Sequence, residues 1–136
     1  MLGDLPMTFR DQNSKPIVIH AEDCELEEWD DDIKGKVQWR TLISGDRTTT
    51  NALTCGVAEI PVGESKVVSL HQHAPAELYY ILEGVGLLNI DGSQREVRAG
   101  STAFIPGNTP HGLVNSGTLP LRLLYVFPVD SFSEME

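Results

Sequence analysis

The sequence is short of cysteine, positive charge and long apolar runs, and each shortage excludes a class of protein. Only two of its 136 residues are cysteines, Cys24 and Cys55, too few for the disulfide framework of a small secreted domain. Ten Lys and Arg residues against twenty Asp and Glu give a net charge of −10, which argues against nucleic acid as a partner. No apolar run approaches the ~18 residues of a membrane span, and residues 1–4 lack the features of a signal peptide. We therefore expect a reduced, cytoplasmic protein that binds neither nucleic acid nor membrane.

The remaining composition is that of a packed globular domain. Hydrophobic residues make up 40% of the chain and charged residues 22%. The length fits one domain, so we expect a single domain over residues 1–136, with a loosely attached segment at 1–15 and a core from about 52 to 129. The acidic stretches at 25–32 and 130–136 are expected to be solvated surface.

From Pro16 onward the sequence consists of short β-prone segments broken by turn residues. Residues 25–29 form either a helical turn or a loop, residues 83–85 are expected to join two strands as a hairpin, and Asp91-Gly92 is a two-residue hairpin turn. The expected strands are residues 17–20, 37–44, 52–62, 66–73, 77–82, 86–90, 94–97, 102–105, 111–115 and 121–129. About ten strands predict an antiparallel sandwich or barrel, and periodicity alone does not choose among barrels.

Three of the four histidines fall into a pattern that suits a metal ion. His71 and His73 lie two apart in an expected strand, so their side chains project from the same face. Glu77 begins the next strand after a turn, and His111 begins a much later strand. Three imidazoles and one carboxylate predict a site for one divalent transition metal ion, which could be Fe, Mn, Ni, Zn, Co or Cu.

The spacing of these residues resembles the paired motifs of the cupin family. The first motif is His71-x-His73, three residues, Glu77, six residues and Gly84, and the second is Gly100, five residues, Pro106, His111 five positions on, and Asn115 after three more. The resemblance covers about residues 55–129. It implies an all-β fold, the cupin double-stranded β-helix (jelly-roll) barrel, with the metal on His71, His73, Glu77 and His111.

Two positions depart from the family pattern. The turn glycine of the first motif is Gly63, two residues further from the first histidine than usual. Asn108 occupies a usual glycine position in the second motif. Because Asn tolerates a positive φ, we expect that turn to survive.

Strand alternation singles out Tyr79 as a candidate catalytic residue. Tyr79 is two residues after Glu77 and should share its face, whereas Tyr80 should point the opposite way. A nearby divalent cation favours the phenolate, so the Tyr79 hydroxyl could act as a general base.

Other side chains are candidates for the pocket wall. Ser69 and Leu113 each lie two residues from a histidine of the motif and are expected to share its face. Trp39, Phe104 and Tyr125 are more readily explained by core packing.

A narrower resemblance links residues 71–79 and 126–134 to small cupin lyases that cleave dimethylsulfoniopropionate. It implies β-elimination to dimethyl sulfide and acrylate, with the metal on His71, His73, Glu77 and His111 and Tyr79 as the base. Two alternatives stay open, an iron-dependent dioxygenase of the small-cupin type and a non-catalytic barrel that binds a small molecule. All three take a small-molecule ligand. The resemblance also implies a homodimer, for which residues 17–20 are a candidate pairing strand.

Overall fold

The computed structural model describes residues 15–31, 35–48, 52–63 and 73–128 and is almost entirely β. One short 3₁₀ helix, Ala21–Asp23, precedes the strands of this part of the chain. The nine strands are β1 Leu26–Asp31, β2 Gly35–Ile43, β3 Thr54–Ile60, β4 Glu77–Glu83, β5 Val85–Ile90, β6 Ser93–Arg98, β7 Thr102–Ile105, β8 His111–Asn115 and β9 Leu121–Phe127. None of the described residues belongs to a helix long and apolar enough to cross a membrane.

The strands form two antiparallel sheets that enclose one core. The larger sheet has the order β1-β2-β3-β9-β4-β7, and the smaller has the order β6-β5-β8. Alternate residues point inward, as in β9, where every second residue is buried. The buried hydrophobic residues are Val37, Ile60, Tyr79, Ile81, Leu88, Val97, Ile105, Leu113, Leu121, Leu123, Tyr125 and Phe127. The all-β expectation is confirmed.

Most of the expected strands are present. Those expected at residues 102–105 and 111–115 match β7 and β8 at both ends. The Asp91-Gly92 hairpin is also confirmed, because both residues have positive φ, 50° and 82°, and they join paired strands. The strand expected at 66–73 lies outside the described residues except for His73, so it stays a prediction. The single domain expected over residues 1–136, with its core from about 52 to 129, also stays a prediction.

The hairpin expected at residues 83–85 is wrong. β4 pairs with β7 and β9, whereas β5 pairs with β6 and β8, so the chain passes from one sheet to the other at this point. Gly84, with φ of 91°, makes the bend, and a Cβ there would lie 2.6 Å from the Pro120 carbonyl oxygen. Glycine therefore marks a crossing between sheets and not a hairpin turn.

The expectations for the N-terminal part were also wrong. Residues 17–20 form no strand, and Val18 is fully exposed. Residues 25–29, expected as a helical turn or loop, instead belong largely to β1, which pairs antiparallel with β2. The Trp29 ring lies edge-on to Trp39, with ring centroids 5.3 Å apart. This cross-strand aromatic contact helps to hold a strand whose sequence is otherwise acidic.

Asn115 ties the two sheets together from a buried position at the end of β8. Its Nδ2 donates to the carbonyl oxygens of Ile60 in β3, at 3.0 Å, and of Leu119, at 2.9 Å. Its Oδ1 accepts from the Gly117 amide at 2.9 Å. One side chain thus satisfies three buried or half-buried backbone groups, one at the end of β3 and two in the connection between β8 and β9.

We expect Asn115→Ala to destabilise the fold strongly, because it would leave these three backbone groups without their partner. The expected loss in the free energy of unfolding is about 2–4 kcal/mol, measured by urea denaturation. Asn89→Ala is the matched control, since Asn89 Oδ1 accepts one exposed hydrogen bond, from the Gly92 amide at 3.2 Å. Equal losses from the two variants would contradict the role given to Asn115.

Candidate metal centre

Glu77 lies at the centre of a cluster of three possible metal ligands. It begins β4 with a buried side chain, and His111 begins β8 with no exposed surface. His73 precedes β4. One ligand atom from each residue lies within 4.8 Å of the others, so the structure brings together three of the four expected ligands. His71 lies outside the described residues, and its part in the site stays a prediction.

The backbone fixes which nitrogen each imidazole turns into the site. His73 Nδ1 lies 2.7 Å from the Pro75 carbonyl oxygen, and His111 Nδ1 lies 2.8 Å from that of Thr109. A carbonyl oxygen can only accept, so both Nδ1 atoms carry the hydrogen. Both Nε2 atoms are left to face Glu77 Oε1, at 3.2 Å for His73 and 3.1 Å for His111.

This arrangement requires positive charge between the three atoms and therefore fits a metal ion. Two imidazole nitrogens and a carboxylate oxygen are all lone-pair donors unless a proton or a cation lies between them. Metal-bound histidines commonly donate their other ring N–H to a carbonyl, as both do here. Nitrogen and oxygen donors of this kind suit a divalent transition metal.

The charges of the metal-free cluster follow from the same contacts. Burial alone would raise the pKa of Glu77, but hydrogen bonds from His111 and His73 outweigh it and lower that pKa. The hydrogen bond to Glu77 raises the pKa of His73, against the opposing effect of burial. Glu77 is therefore ionised at neutral pH, and His73 holds a proton more firmly than an ordinary histidine.

Two turns carry the ligands and pack against each other. The Asn108 amide donates to the His73 carbonyl oxygen at 2.6 Å. Asn108 has φ of 57°, as its place in the motif predicted. A Cβ on the neighbouring Gly107 would lie 2.2 Å from the Ala74 carbonyl oxygen, so only glycine allows this approach. The positions of His73 and His111 are thus coupled through backbone contacts.

Tyr79 lies where strand alternation predicted, on the inner face beside Glu77. Its side chain is buried, and its ring centroid is 6.3 Å from that of His111. Burial raises the pKa of Tyr79 well above its usual value, and the charge of Glu77 and a hydrogen bond to Glu77 add to this. Tyr80 points outward and is 40% exposed, as expected.

Tyr125 and Phe127 extend the inner wall beside the cluster. Tyr125 is paired in register with Tyr79 across β4 and β9. The Phe127 ring centroid lies 5.5 Å from those of both Tyr125 and His73. A Cβ on Gly56 would lie 2.3 Å from the Tyr125 hydroxyl oxygen, so this glycine leaves room for the phenol. Burial raises the pKa of Tyr125 far above its usual value.

The other residues considered for the pocket wall have different outcomes. Core packing is confirmed for Tyr125 and for Trp39, which packs against the core. Leu113 is buried in the core, and Ser69 lies outside the described residues. Core packing is wrong for Phe104, which is 68% exposed on an edge strand. The sequence analysis missed Phe127, although its position two residues after Tyr125 would have placed it on the inner face.

Glu27 was also missed, because the acidic stretch at 25–32 was expected to be solvated. Its carboxylate is turned inward and accepts from Arg47 at 2.8 and 3.0 Å and from Thr41 at 3.3 Å. The hydrogen bond from Arg47 is the largest cause of a lowered pKa of Glu27, with burial opposing it. Glu27 is therefore an ionised group held by the turn after β2.

Two antiparallel sheets around a His–Glu–His cluster define a cupin barrel. The sequence profile of the cupin domain family matches residues 56–127, and the chain belongs to that family. Among characterised relatives, it is similar to the dimethylsulfoniopropionate lyase DddW of Ruegeria pomeroyi. The two are 40% identical over 121 residues, which cover 89% of this chain and 78% of that protein.

Solved structures support the same family assignment. A predicted oxalate decarboxylase from Thermotoga maritima superposes with a TM-score of 0.73 at 26% identity, over 83% of this chain and 99% of the other. The polyketide cyclase RemF from Streptomyces resistomycificus gives a TM-score of 0.72 at 26% identity, over 84% of this chain and 80% of the other. The named relatives thus span several chemistries on one fold.

We expect His111→Ala to weaken metal binding at least about a hundredfold, because it removes a ligand and not only a supporting group. Elemental analysis and calorimetric titration of the metal-free protein measure the effect. His20→Ala is the control, since His20 is exposed, accepts a hydrogen bond from the Glu22 amide and does not belong to the cluster. Unchanged metal content in His111→Ala would argue against this centre.

Metal affinity is expected to fall as the pH is lowered. Because the pKa of His73 is raised, this imidazole is protonated at a higher pH than the ordinary value of about 6.5. A metal ion must displace that proton, so below the raised pKa the affinity should drop by about tenfold per pH unit. Titrations across this range measure the slope. A metal affinity that does not change with pH in this range would show that metal binding does not displace a proton from His73.

Proposed function

We propose that this chain is a metal-dependent lyase that cleaves dimethylsulfoniopropionate by β-elimination, with Tyr79 as the base. The observation that carries the proposal is the buried Tyr79 side chain, which shares the inner face of β4 with the candidate ligand Glu77 and has its ring centroid 6.3 Å from that of His111. The 40% identity to DddW supports the choice of substrate. The reaction needs one base, one site for a carboxylate and one for a sulfonium.

The ligands in the proposal are His73, Glu77 and His111, with His71 as the fourth. A divalent ion bound there supplies a Lewis acid that polarises the substrate carboxylate and so acidifies the adjacent C–H. The chain fixes the ligands in advance, because the two Nδ1–H groups are anchored to the backbone and both Nε2 atoms face inward. The histidine side chains would then need little rearrangement to bind the ion.

Tyr79 holds and moves the proton. In the metal-free cluster its hydroxyl keeps its proton, since burial and the charge of Glu77 both oppose the phenolate. A divalent ion held by His73, Glu77 and His111 would offset the repulsion from Glu77 and lower the pKa of the Tyr79 hydroxyl, so that the phenolate would become accessible. The Tyr79 oxygen then takes the proton from the carbon next to the carboxylate. The C–S bond breaks with its electron pair going to sulfur, a C=C bond forms, and dimethyl sulfide and acrylate result.

The aromatic wall suits the positive end of the substrate. Tyr125 and Phe127 lie on the same inner face as Tyr79, and the Phe127 ring also contacts His73. A sulfonium next to such rings is stabilised by cation–π attraction, which strengthens in a desolvated site. The aromatic wall would hold the sulfonium end of dimethylsulfoniopropionate, and the metal site would hold its carboxylate end, with Tyr79 between them.

We expect Tyr79→Phe to lower kcat by about 10²–10⁴-fold, because it removes the base and leaves the ring. Gas chromatography of dimethyl sulfide, together with acrylate measured by NMR, gives the rate in metal-loaded protein. Tyr80→Phe is the matched control, since its ring is outward on the same strand, and its rate should stay within about twofold of wild type. Metal content measured in both variants separates loss of the base from loss of the ion.

The two alternatives make different predictions for the same preparation. An iron dioxygenase would consume oxygen with a thiol or diketone and would release no dimethyl sulfide. A non-catalytic barrel would bind the zwitterion without turnover. Wild-type protein that carries a full complement of metal yet forms neither dimethyl sulfide nor acrylate would overturn the lyase proposal.

A further inference from the structure

The inner face of the larger sheet carries polar groups well beyond the candidate metal centre. Four residues are paired in register across β4, β9, β3 and β2 and so form one row of this face: Tyr79, Tyr125, Gly56 and Thr41. Tyr125 and Thr41 are both buried. The Tyr125 hydroxyl lies over Gly56, because a Cβ on that glycine would be 2.3 Å from the phenol oxygen. The Tyr125 ring therefore leans away from Tyr79 and toward Thr41.

The row ends at a carboxylate. Thr41 Oγ1 donates to Glu27 Oε2 at 3.3 Å, and the Arg47 guanidinium donates to both oxygens of Glu27, at 2.8 and 3.0 Å. Arg47 Nε also lies 4.0 Å from Asp46 Oδ2. One guanidinium is thus shared by two carboxylates, so this group of charges keeps a net negative charge.

Aromatic rings accompany the carboxylate along the same face. Glu27 is paired in register with Trp39, whose ring lies edge-on to that of Trp29 with centroids 5.3 Å apart. On the other side of the row, the Tyr125 and Phe127 centroids are 5.5 Å apart. Aromatic faces attract cations, and a carboxylate in a partly buried site attracts them more strongly than one in bulk water. A neutral group of the same shape gains from neither effect.

We propose that Glu27 is a specificity-determining residue, which selects ligands that carry a methylated onium group, either a sulfonium or a quaternary ammonium. The inference rests on the proposed function for the place of the ligand carboxylate at the metal centre. The onium group lies against the Tyr125 ring, and Glu27 attracts it from beyond Thr41. Such an onium ion has no N–H or S–H to donate, so it attracts Glu27 through space and leaves the hydrogen bonds from Arg47 in place.

Two probes of equal shape test the selection by charge. Calorimetric titration of the metal-loaded protein compares 3-(trimethylammonio)propanoate with 4,4-dimethylpentanoate, in which carbon replaces the charged nitrogen. The wild type should bind the ammonium probe at least about tenfold more tightly. Glu27→Gln keeps the acceptor for Thr41 but removes the charge. It should therefore lower this preference at least about fivefold, while the affinity for the neutral probe stays within about twofold.

Two further variants separate attraction by charge from bracing of the turn after β2. Glu28→Gln is the matched control, because exposed Glu28 lies next in the strand on the opposite face and accepts from Gln38, and it should leave both affinities unchanged. Arg47→Gln leaves the charge of Glu27 uncompensated and should raise the preference for the ammonium probe. A purely structural ion pair would instead make Arg47→Gln and Glu27→Gln change both affinities in the same direction, and that result would overturn the proposal.

A wild type without preference for the ammonium probe would overturn it as well. NMR during the titrations checks that neither probe forms acrylate, so the comparison does not depend on turnover. The selection by charge can therefore hold in a protein that releases no dimethyl sulfide, and it can fail in one that does. The two proposals are in this way tested separately.

Discussion

The Glu77 carboxylate lies buried between two imidazoles, and the arrangement of the whole site depends on it. An ionised carboxylate in a protein interior is unfavourable unless hydrogen bonds and positive charge compensate it. Here the compensation comes from His73, just before β4, and from His111, across the barrel on β8. Those two residues belong to turns that contact each other through the Asn108 amide. The contacts that compensate the charge of Glu77 therefore also hold the two sheets together at the start of β8. At the other end of β8, the hydrogen bond from Asn115 to Ile60 does the same.

Features that depend on neighbouring residues could be predicted from the sequence. The shared face of Glu77 and Tyr79 follows from strand alternation, and the left-handed conformation of Asn108 follows from the tolerance of Asn for positive φ. The hairpin expected at residues 83–85 was wrong for a related reason. A glycine with positive φ serves a hairpin and a crossing between sheets equally well. The pairing of β4 with β9 and of β5 with β8, strands that lie much later in the chain, decides between them.

Features that depend on distant partners could not be predicted. Glu27 lies in an acidic stretch and gives no local sign of its ion pair, because the Arg47 that compensates its charge comes twenty residues later. Phe104 is of a type common in cores, yet it alternates with the buried Ile105 on β7 and is paired with Leu78, so it points outward. In both cases the residue type was informative only after the register of the sheets was known.

The single strand β4 carries the residues of the proposed chemistry on its inner face and apolar side chains on its outer face. Its residues alternate, so that Glu77 and Tyr79 point inward while Leu78 and Tyr80 point outward. A shift of one residue in its pairing would exchange the two sets, placing the carboxylate in water and the apolar side chains around the metal cluster. The pairing of β4 with β7 and β9 therefore decides where Tyr79 points relative to Glu77, and with it the geometry on which the proposed proton transfer depends.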